Sequence, residues 1–345
     1  MIKAAVLGAT GLVGQRFAQF LDGHPWFRLT SVAAAPELVG KPYSEATHWQ
    51  IGSKIPKDVS ELELVLATPK DVGDVDVVFS ALPPGPAGKI ETDFAKAGFV
   101  VLSNASSHRM DPDVPILNPE VNADHVALID RQRRERKWDG AIVTNPNCTA
   151  AILTLSLRPV QLAYGIERVI VSTMQAVSGA GYPGVASLDI VDNVIPYIER
   201  EEDKVRDETR KILGSLEKPS GISISASCHR VPTIDGHMEA VFVGLKKEAE
   251  PEDIAKIMKG FTGKPQQLKL PTAPPQPVVV REERDRPQTR LDRMVGRGMS
   301  VVVGRIRKDE LMDGVKYVVV GHNTIRGAAG CSVLNAELLK TEGYL

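Results

Sequence analysis

The sequence predicts an α/β chain of two domains: a parallel sheet with crossover helices, then an α+β unit on a mixed, mostly antiparallel sheet. Three observations lead there. Short apolar strands alternate with helical stretches up to about residue 147, strands then follow strands, and 345 residues are many for a single core.

In chain order, Ile2 to Leu7 reads as a buried strand, Val13 to Leu21 as a helix and Arg28 to Ala34 as a second strand. Asp76 to Ser80 is a strand ending in the turn Pro83-Pro84-Gly85. Ile90 to Ala97 is helical, and Phe99 to Ser103 and Ala141 to Thr144 are strands. Strand, helix, strand in sequence argues for right-handed parallel crossovers. Beyond them, Glu167 to Val177, Glu239 to Lys246, Val278 to Val280, Ser300 to Arg307 and Gly314 to Gly321 read as strands. Ser187 to Ile195 and Asp203 to Gly214 read as helices, and Pro271 to Pro277 as a Pro-rich surface crossing. Ala328 to Leu339 has helical spacing and is expected to return to the first domain. The expected division is therefore 1–147 with 328–345, and 148–327.

Composition excludes several classes of function. Net charge is -1, so no global field draws in nucleic acid or an anionic membrane. No apolar run approaches the roughly 20 residues of a membrane helix, and the N-terminus reads as a strand rather than a signal peptide. The three cysteines (Cys148, Cys228, Cys331) show no metal-type pairing, so no metal site is expected and a reducing, cytoplasmic setting is. The basic run Arg131 to Lys137 lacks interleaved aromatics and reads as a solvated helix face, followed by a packing residue, Trp138.

Gly8-Ala9-Thr10-Gly11-Leu12-Val13-Gly14 follows the first strand and opens a helix. Glycines there let the backbone approach a pyrophosphate, and the helix N-terminus supplies free N–H groups and partial positive charge. This makes the first domain Rossmann-like and predicts a dinucleotide on Gly8, Thr10, Gly11, Leu12, Val13 and Gly14. The second strand ends Ala33-Ala34-Ala35-Pro36, without the acidic residue typical of NAD sites, and Lys41 is near enough in sequence to meet a 2′-phosphate. NADP is the cofactor expected, with NAD the alternative.

Asn145-Pro146-Asn147-Cys148-Thr149 follows a strand, and apolar helical sequence comes next. Cys148 is thus expected at a helix N-terminus, where an anion is stabilised and a thiol pKa lowered. Asn147 and the helix amides are placed to hold an oxyanion. A thiolate nucleophile needs a base, and seven histidines are available. Cys228 to His237 stands out among them: it sets Arg230 and His237 on either side of a Pro/Asp/Gly turn, a carboxylate clamp and a proton carrier.

Taken together, these strings resemble the aspartate-semialdehyde dehydrogenase family, in the form common to archaea and fungi. The matching motifs run from end to end: the glycine loop, Ser103 to Arg109, Asn145 to Thr149, Gln175 to Gly181, Glu201 to Lys204, Cys228 to His237, and Asn323 to Gly330. The resemblance implies that Cys148 is the nucleophile and His237 the acid/base. It implies that Arg230 binds the substrate carboxylate, that Arg109, Lys204 and Asn147 meet the phosphate, that Glu201 meets the substrate ammonium, and that Gln175 orients the substrate. Ser178, Gly179, Gly181 and Asn323 are expected along the cofactor. The activity implied is reductive dephosphorylation of L-aspartyl 4-phosphate to the semialdehyde, in lysine, methionine and threonine biosynthesis. Association through the second domain, as homodimer or homotetramer, is implied as well. Two other readings remain: an acyl-CoA reductase such as malonyl-CoA reductase on the same fold, and a non-catalytic nucleotide sensor.

Overall fold

The computed structural model describes residues 1–345. Six strands, β1 (Ile2–Leu7), β2 (Phe27–Ala34), β3 (Leu64–Leu66), β4 (Val77–Ser80), β5 (Val100–Ser103) and β6 (Ala141–Thr144), form one sheet in the order β3-β2-β1-β4-β5-β6. Every neighbouring pair is parallel. Strands covered on both faces need apolar residues on both, and β4, β5 and β6 are buried throughout. Alternation divides β1 between two cores: Ala4 and Val6 pack with Phe17 and Phe79, whereas Ala5 and Leu7 pack with Val78 and Val101. The strand order reverses between β1 and β4, and β1 runs directly into the glycine loop and the helix Leu12–Leu21. In such sheets the ligand crevice lies at this reversal, beyond the carboxyl ends of the strands.

The second sheet comprises β7 (Ile166–Gln175), β8 (Ser223–Arg230), β9 (His237–Leu245), β10 (Val278–Val280), β11 (Val301–Asp309) and β12 (Gly314–Gly321), in the order β10-β11-β12-β9-β7-β8. β10–β11 and β7–β8 are parallel and the other three pairs antiparallel, so the sheet is mixed and mostly antiparallel. The helix Cys148–Tyr164 packs on it, Ile152, Leu153 and Leu155 sharing a core with Val171, Val241, Val243 and Val319. The last helix, Gly330–Thr341, returns to the first sheet, where Val333, Leu334 and Leu338 join the core around Phe17 and Phe79.

Several local expectations change. β3 is a strand that the sequence reading lacks, and the helix Pro84–Lys96 begins within the turn expected at Pro83 to Gly85. The segment after Ser187 forms only one helical turn, Ser187–Ile190, because Val191 is extended and Asp192 takes a left-handed φ of 58°. β8 is a strand that the sequence reading lacks: Ser223-Ile224-Ser225-Ala226-Ser227 alternates small polar residues with modest apolar ones, so its pattern is weak. Cys228 and Cys331 are buried core residues, and Trp138 is buried beneath the Arg136 guanidinium. No helix is long and apolar enough to cross a membrane.

Candidate active site

Cys148 is the first residue of its helix. Asn147 is the N-cap, its side-chain oxygen accepting the N–H groups of Thr149 (3.0 Å) and Ala150 (3.2 Å). β6 leads into this turn, and Asn145 fixes its approach by donating to the Ala328 carbonyl at 2.6 Å. Behind Cys148 sits Gly327, in a π-helical turn over Ile325–Ala329, so close that a Cβ there would lie 2.6 Å from the Cys148 Cβ.

Strand register supplies the remaining groups. Gln175 ends β7 opposite Arg230 at the end of β8, and His237 begins β9 on the far side of β7, so all three emerge at one end of the sheet. His237 Nε2 lies 3.1 Å from Cys148 Sγ. Its Nδ1 accepts the Ala176 N–H at 3.1 Å. A backbone N–H can only donate, so the ring proton of neutral His237 sits on Nε2, facing sulfur. Arg230 is buried and donates to the Ala176 carbonyl at 2.7 Å. Gln175 donates to Thr149 Oγ1 and, at 2.8 Å, to Glu201.

Glu201 opens the helix Glu201–Ile212 and is itself buried. It accepts from Asn147 Nδ2 at 2.9 Å, and Lys204 Nζ stands 3.6 Å from its second oxygen. The neighbouring Glu202 is engaged elsewhere, accepting the Cys228 N–H. Arg109 reaches the same place from the loop after β5. It is 7% exposed, donates to Glu208 at 3.0 Å and to the Asn104 carbonyl at 2.7 Å, and its Nε has no partner. Cys148, His237, Arg109, Asn147, Gln175, Glu201, Lys204 and Arg230 therefore occupy one neighbourhood, Lys204 being the most open of them.

The thiol itself corrects an expectation. A helix N-terminus argues for a lowered pKa, but burial pushes the Cys148 thiol up to about 12, and Glu201 adds to the rise. Arg230 and Arg109 oppose it without prevailing. Part of the side chain faces the cleft, yet the protein around it is dense enough for desolvation to outweigh the dipole. Burial, then the nearby Arg230 and His322, lowers His237 to about 3. The resting pair is a neutral thiol beside a neutral imidazole.

The cofactor residues expected from distant parts of the sequence also meet. Gly8 has φ +72°, and a Cβ on it would lie 2.7 Å from the Ala81 carbonyl oxygen; one on Gly14 would lie 2.3 Å from Gly8 O. The loop is thus held against β4 and the helix start in a way only glycine permits, leaving a main-chain cradle at the crevice. Leu12 lines one cleft with Arg16, Ser178, Gly181 and Asp235. Asn323 holds that cleft together, donating to Ser178 Oγ at 2.8 Å and accepting the Gly236 N–H at 2.9 Å. Gly179 carries the same turn onto Arg230 and His237: a Cβ there would lie 2.9 Å from Arg230 Nη1 and 3.2 Å from His237 Cε1. The residues present fit a dinucleotide. The Val13 side chain packs against the core, so its backbone is what remains for a ligand. Lys41 is exposed and carries no ion pair.

Four side chains that the sequence reading passed over belong here. Arg16 lines the cleft shared with Leu12 and Ser178, two residues past the last loop glycine. Thr149 anchors Gln175. Glu208 and Lys211 grip the Arg109 loop. Only Arg16 carried a local signal, its place in the first turns of the nucleotide helix.

A dinucleotide cradle opening onto a partly exposed cysteine beside a buried imidazole, flanked by two arginines, defines a class: nicotinamide-dependent oxidoreductases that handle an aldehyde or acyl group on a thiol. Residues 3–129 match the family model "Semialdehyde dehydrogenase, NAD binding domain", and residues 157–326 match "Semialdehyde dehydrogenase, dimerisation domain". The chain belongs to the semialdehyde dehydrogenase family. It is 53% identical to an aspartate-semialdehyde dehydrogenase of Methanothermobacter thermautotrophicus, over 98% of this chain and 99% of that one. It is 45% identical to a malonyl CoA reductase (NADP) of Metallosphaera sedula, over 100% of this chain and 98% of that one. The crystal structure of aspartate semialdehyde dehydrogenase with NADP from Candida albicans superposes with a TM-score of 0.92 at 38% identity, each chain fully covered.

Proposed function

We propose that this chain is an NADP-dependent, phosphorylating aspartate-β-semialdehyde dehydrogenase, interconverting L-aspartyl 4-phosphate and L-aspartate 4-semialdehyde through a Cys148 thioester. The observation that carries the reading is the set of charges around one sulfur: the buried carboxylate Glu201, with Lys204 3.6 Å from it, and the guanidiniums of Arg230 and Arg109, all acting on Cys148. The substrate has three charged groups of complementary sign, an ammonium, a carboxylate and a phosphate.

The bound dinucleotide supplies the hydride acceptor or donor, held by the Gly8–Gly14 loop, Ser178, Gly181 and Asn323. The chain's own residues do the rest. Arg230 and Glu201 orient the amino acid, with Gln175 setting its distance from sulfur. Cys148 is partly exposed, so its thiol proton passes to solvent, and the resulting thiolate attacks the aldehyde carbon or the acyl carbon. His237 presents its Nε2 proton first to the sulfur anion and then to the substrate oxygen as charge gathers there. This is the donor half of the acid/base role expected from the sequence. Phosphate held by Arg109, Lys204 and Asn147 attacks the thioester carbon; the new C–O bond forms as C–S breaks and Cys148 is released.

The same reading divides the chain at 147/148 and 327/328. It makes the functional unit a homodimer or homotetramer built on the second domain, with the cytoplasm, where its three thiols stay reduced, as its compartment. NADP is favoured by its presence in the similar Candida albicans structure.

The similarity to a malonyl CoA reductase sustains a second reading. Malonyl-CoA brings no ammonium for Glu201 and no phosphoryl group at the reacting carbon. The test is turnover of NADP with L-aspartate semialdehyde plus inorganic phosphate, against turnover of NADPH with malonyl-CoA. Phosphate-dependent activity with the first and little with the second is expected; the reverse pattern would replace this reading with its rival.

A further inference from the structure

One face of the helix Glu201–Ile212 holds together groups from both halves of the chain. Glu201 binds Asn147 and Gln175. Two turns on, Glu208 is 2% exposed and bridges two partners: Oε1 accepts from Arg109 Nη1 at 3.0 Å, and Oε2 accepts the Asn147 backbone N–H at 2.6 Å. Three residues later, Lys211 donates to the carbonyls of Arg109 (2.6 Å), Asp111 (2.7 Å) and Val114 (2.8 Å). Arg109 is thereby fixed at its side chain by Glu208 and at its backbone by Lys211. Its Nε is buried without a partner.

We infer that Glu208 is a positioning residue for the phosphate subsite: by bridging Arg109 to the backbone of Asn147, it sets the place of the anion-binding guanidinium relative to Cys148. This rests on the proposal that phosphate is a substrate, and it assigns a role to a residue that does not itself meet the substrate. Three points support it. Asn147 is the residue immediately before the nucleophile, so a brace to its N–H refers Arg109 to Cys148 directly. A carboxylate accepts from both donors at once, whereas an amide in its place turns an N–H group against one of them. Finally, the carboxylate offsets the Arg109 charge when no anion is bound.

The experiment is steady-state kinetics of Glu208→Gln in the oxidative direction, varying inorganic phosphate and L-aspartate semialdehyde separately. Hydrogen bonds to charged groups are lost, so KM for phosphate is expected to rise about tenfold to a hundredfold, with KM for the aldehyde within about twofold of wild type. Glu208→Asp, which keeps the charge but is too short to span both partners, is expected to show the same split more weakly, and it serves if the Gln variant does not fold. Thr209→Val, a buried neighbour on the same helix with no hydrogen-bond partner, is expected to leave the phosphate KM unchanged. An unchanged phosphate KM in both Glu208 variants, or an equal rise for both substrates, overturns the positioning role while leaving the overall reaction standing. Wild-type turnover that ignores phosphate overturns both.

Discussion

Cys148 Sγ and His237 Nε2 lie 3.1 Å apart, and His237 Nδ1 is committed to the Ala176 N–H. Adding a proton at Nδ1 would set two N–H groups against each other, so the imidazolium is disfavoured by geometry as well as by burial. The sulfur and the ring are held as hydrogen-bond partners rather than as a resting ion pair.

The pH dependence of thiol reactivity follows. With the thiol raised to about 12, the thiolate is scarce at neutral pH and grows as pH rises. Alkylation of Cys148 in the free protein should accelerate about tenfold per pH unit from about pH 7 to about pH 10, without levelling off. Because His237 is lowered to about 3, no inflection from it should appear between about pH 5 and about pH 8. A rate that reaches a plateau near neutrality would mean a preformed thiolate–imidazolium pair. Nitrogen NMR of His237 gives an independent reading, Nε2 protonated and Nδ1 not.

Arg230→Lys should raise KM for L-aspartate semialdehyde by about a hundredfold or more, since an ammonium does not reproduce a two-pronged carboxylate contact. KM for NADP should stay close to wild type. An unchanged aldehyde KM would remove Arg230 from substrate binding.

Gly327→Ala tests the packing behind Cys148. The new methyl would lie 2.6 Å from Cys148 Cβ and 2.8 Å from its Cα, so one of the two segments must shift. A displacement approaching an ångström costs about a hundredfold in rate. A loss of kcat of that order is expected, with dinucleotide affinity retained. Wild-type kcat would show that the segments give way without moving sulfur.

Arg326, beside that glycine, forms an ion pair with Glu120 in which both side chains are fully buried, with contacts at 2.5 and 2.9 Å. Removing one partner strands the other, at a cost of about 3–5 kcal/mol. Glu120→Ala should lower unfolding stability by that amount in urea titration; a loss under about 1 kcal/mol would mean the guanidinium finds another partner.

What the sequence disclosed, and what it hid, divides along physical lines. Gly8 to Gly14 was legible because a close backbone approach demands glycine at fixed spacing. Five of the six strands of the first sheet were legible because strands covered on both faces must be apolar throughout; β3, three residues long and ending in an exposed leucine, was not. β8 was not: its exposed serines look like loop until β7 is seen beside it. Cys148 could be singled out by its place before an apolar helix, but its environment could not. The dipole at a helix start is local, whereas the protein density that raises the thiol comes from segments far apart in sequence. The turn carrying His237 could be picked out as a candidate base, but its meeting with Cys148 was fixed only through resemblance, since 89 positions separate them. Glu208 and Lys211 left no mark at all, because on an amphipathic helix they read as ordinary surface charges until the Arg109 loop is folded against them.

The most direct measurement is a rapid-mixing experiment with NADP and L-aspartate semialdehyde in the absence of phosphate, followed by intact-mass analysis. The account predicts a burst of about one NADPH per active site and an acyl adduct on Cys148 that phosphate discharges. Dinucleotide binding with neither a burst nor an adduct at that sulfur would contradict it.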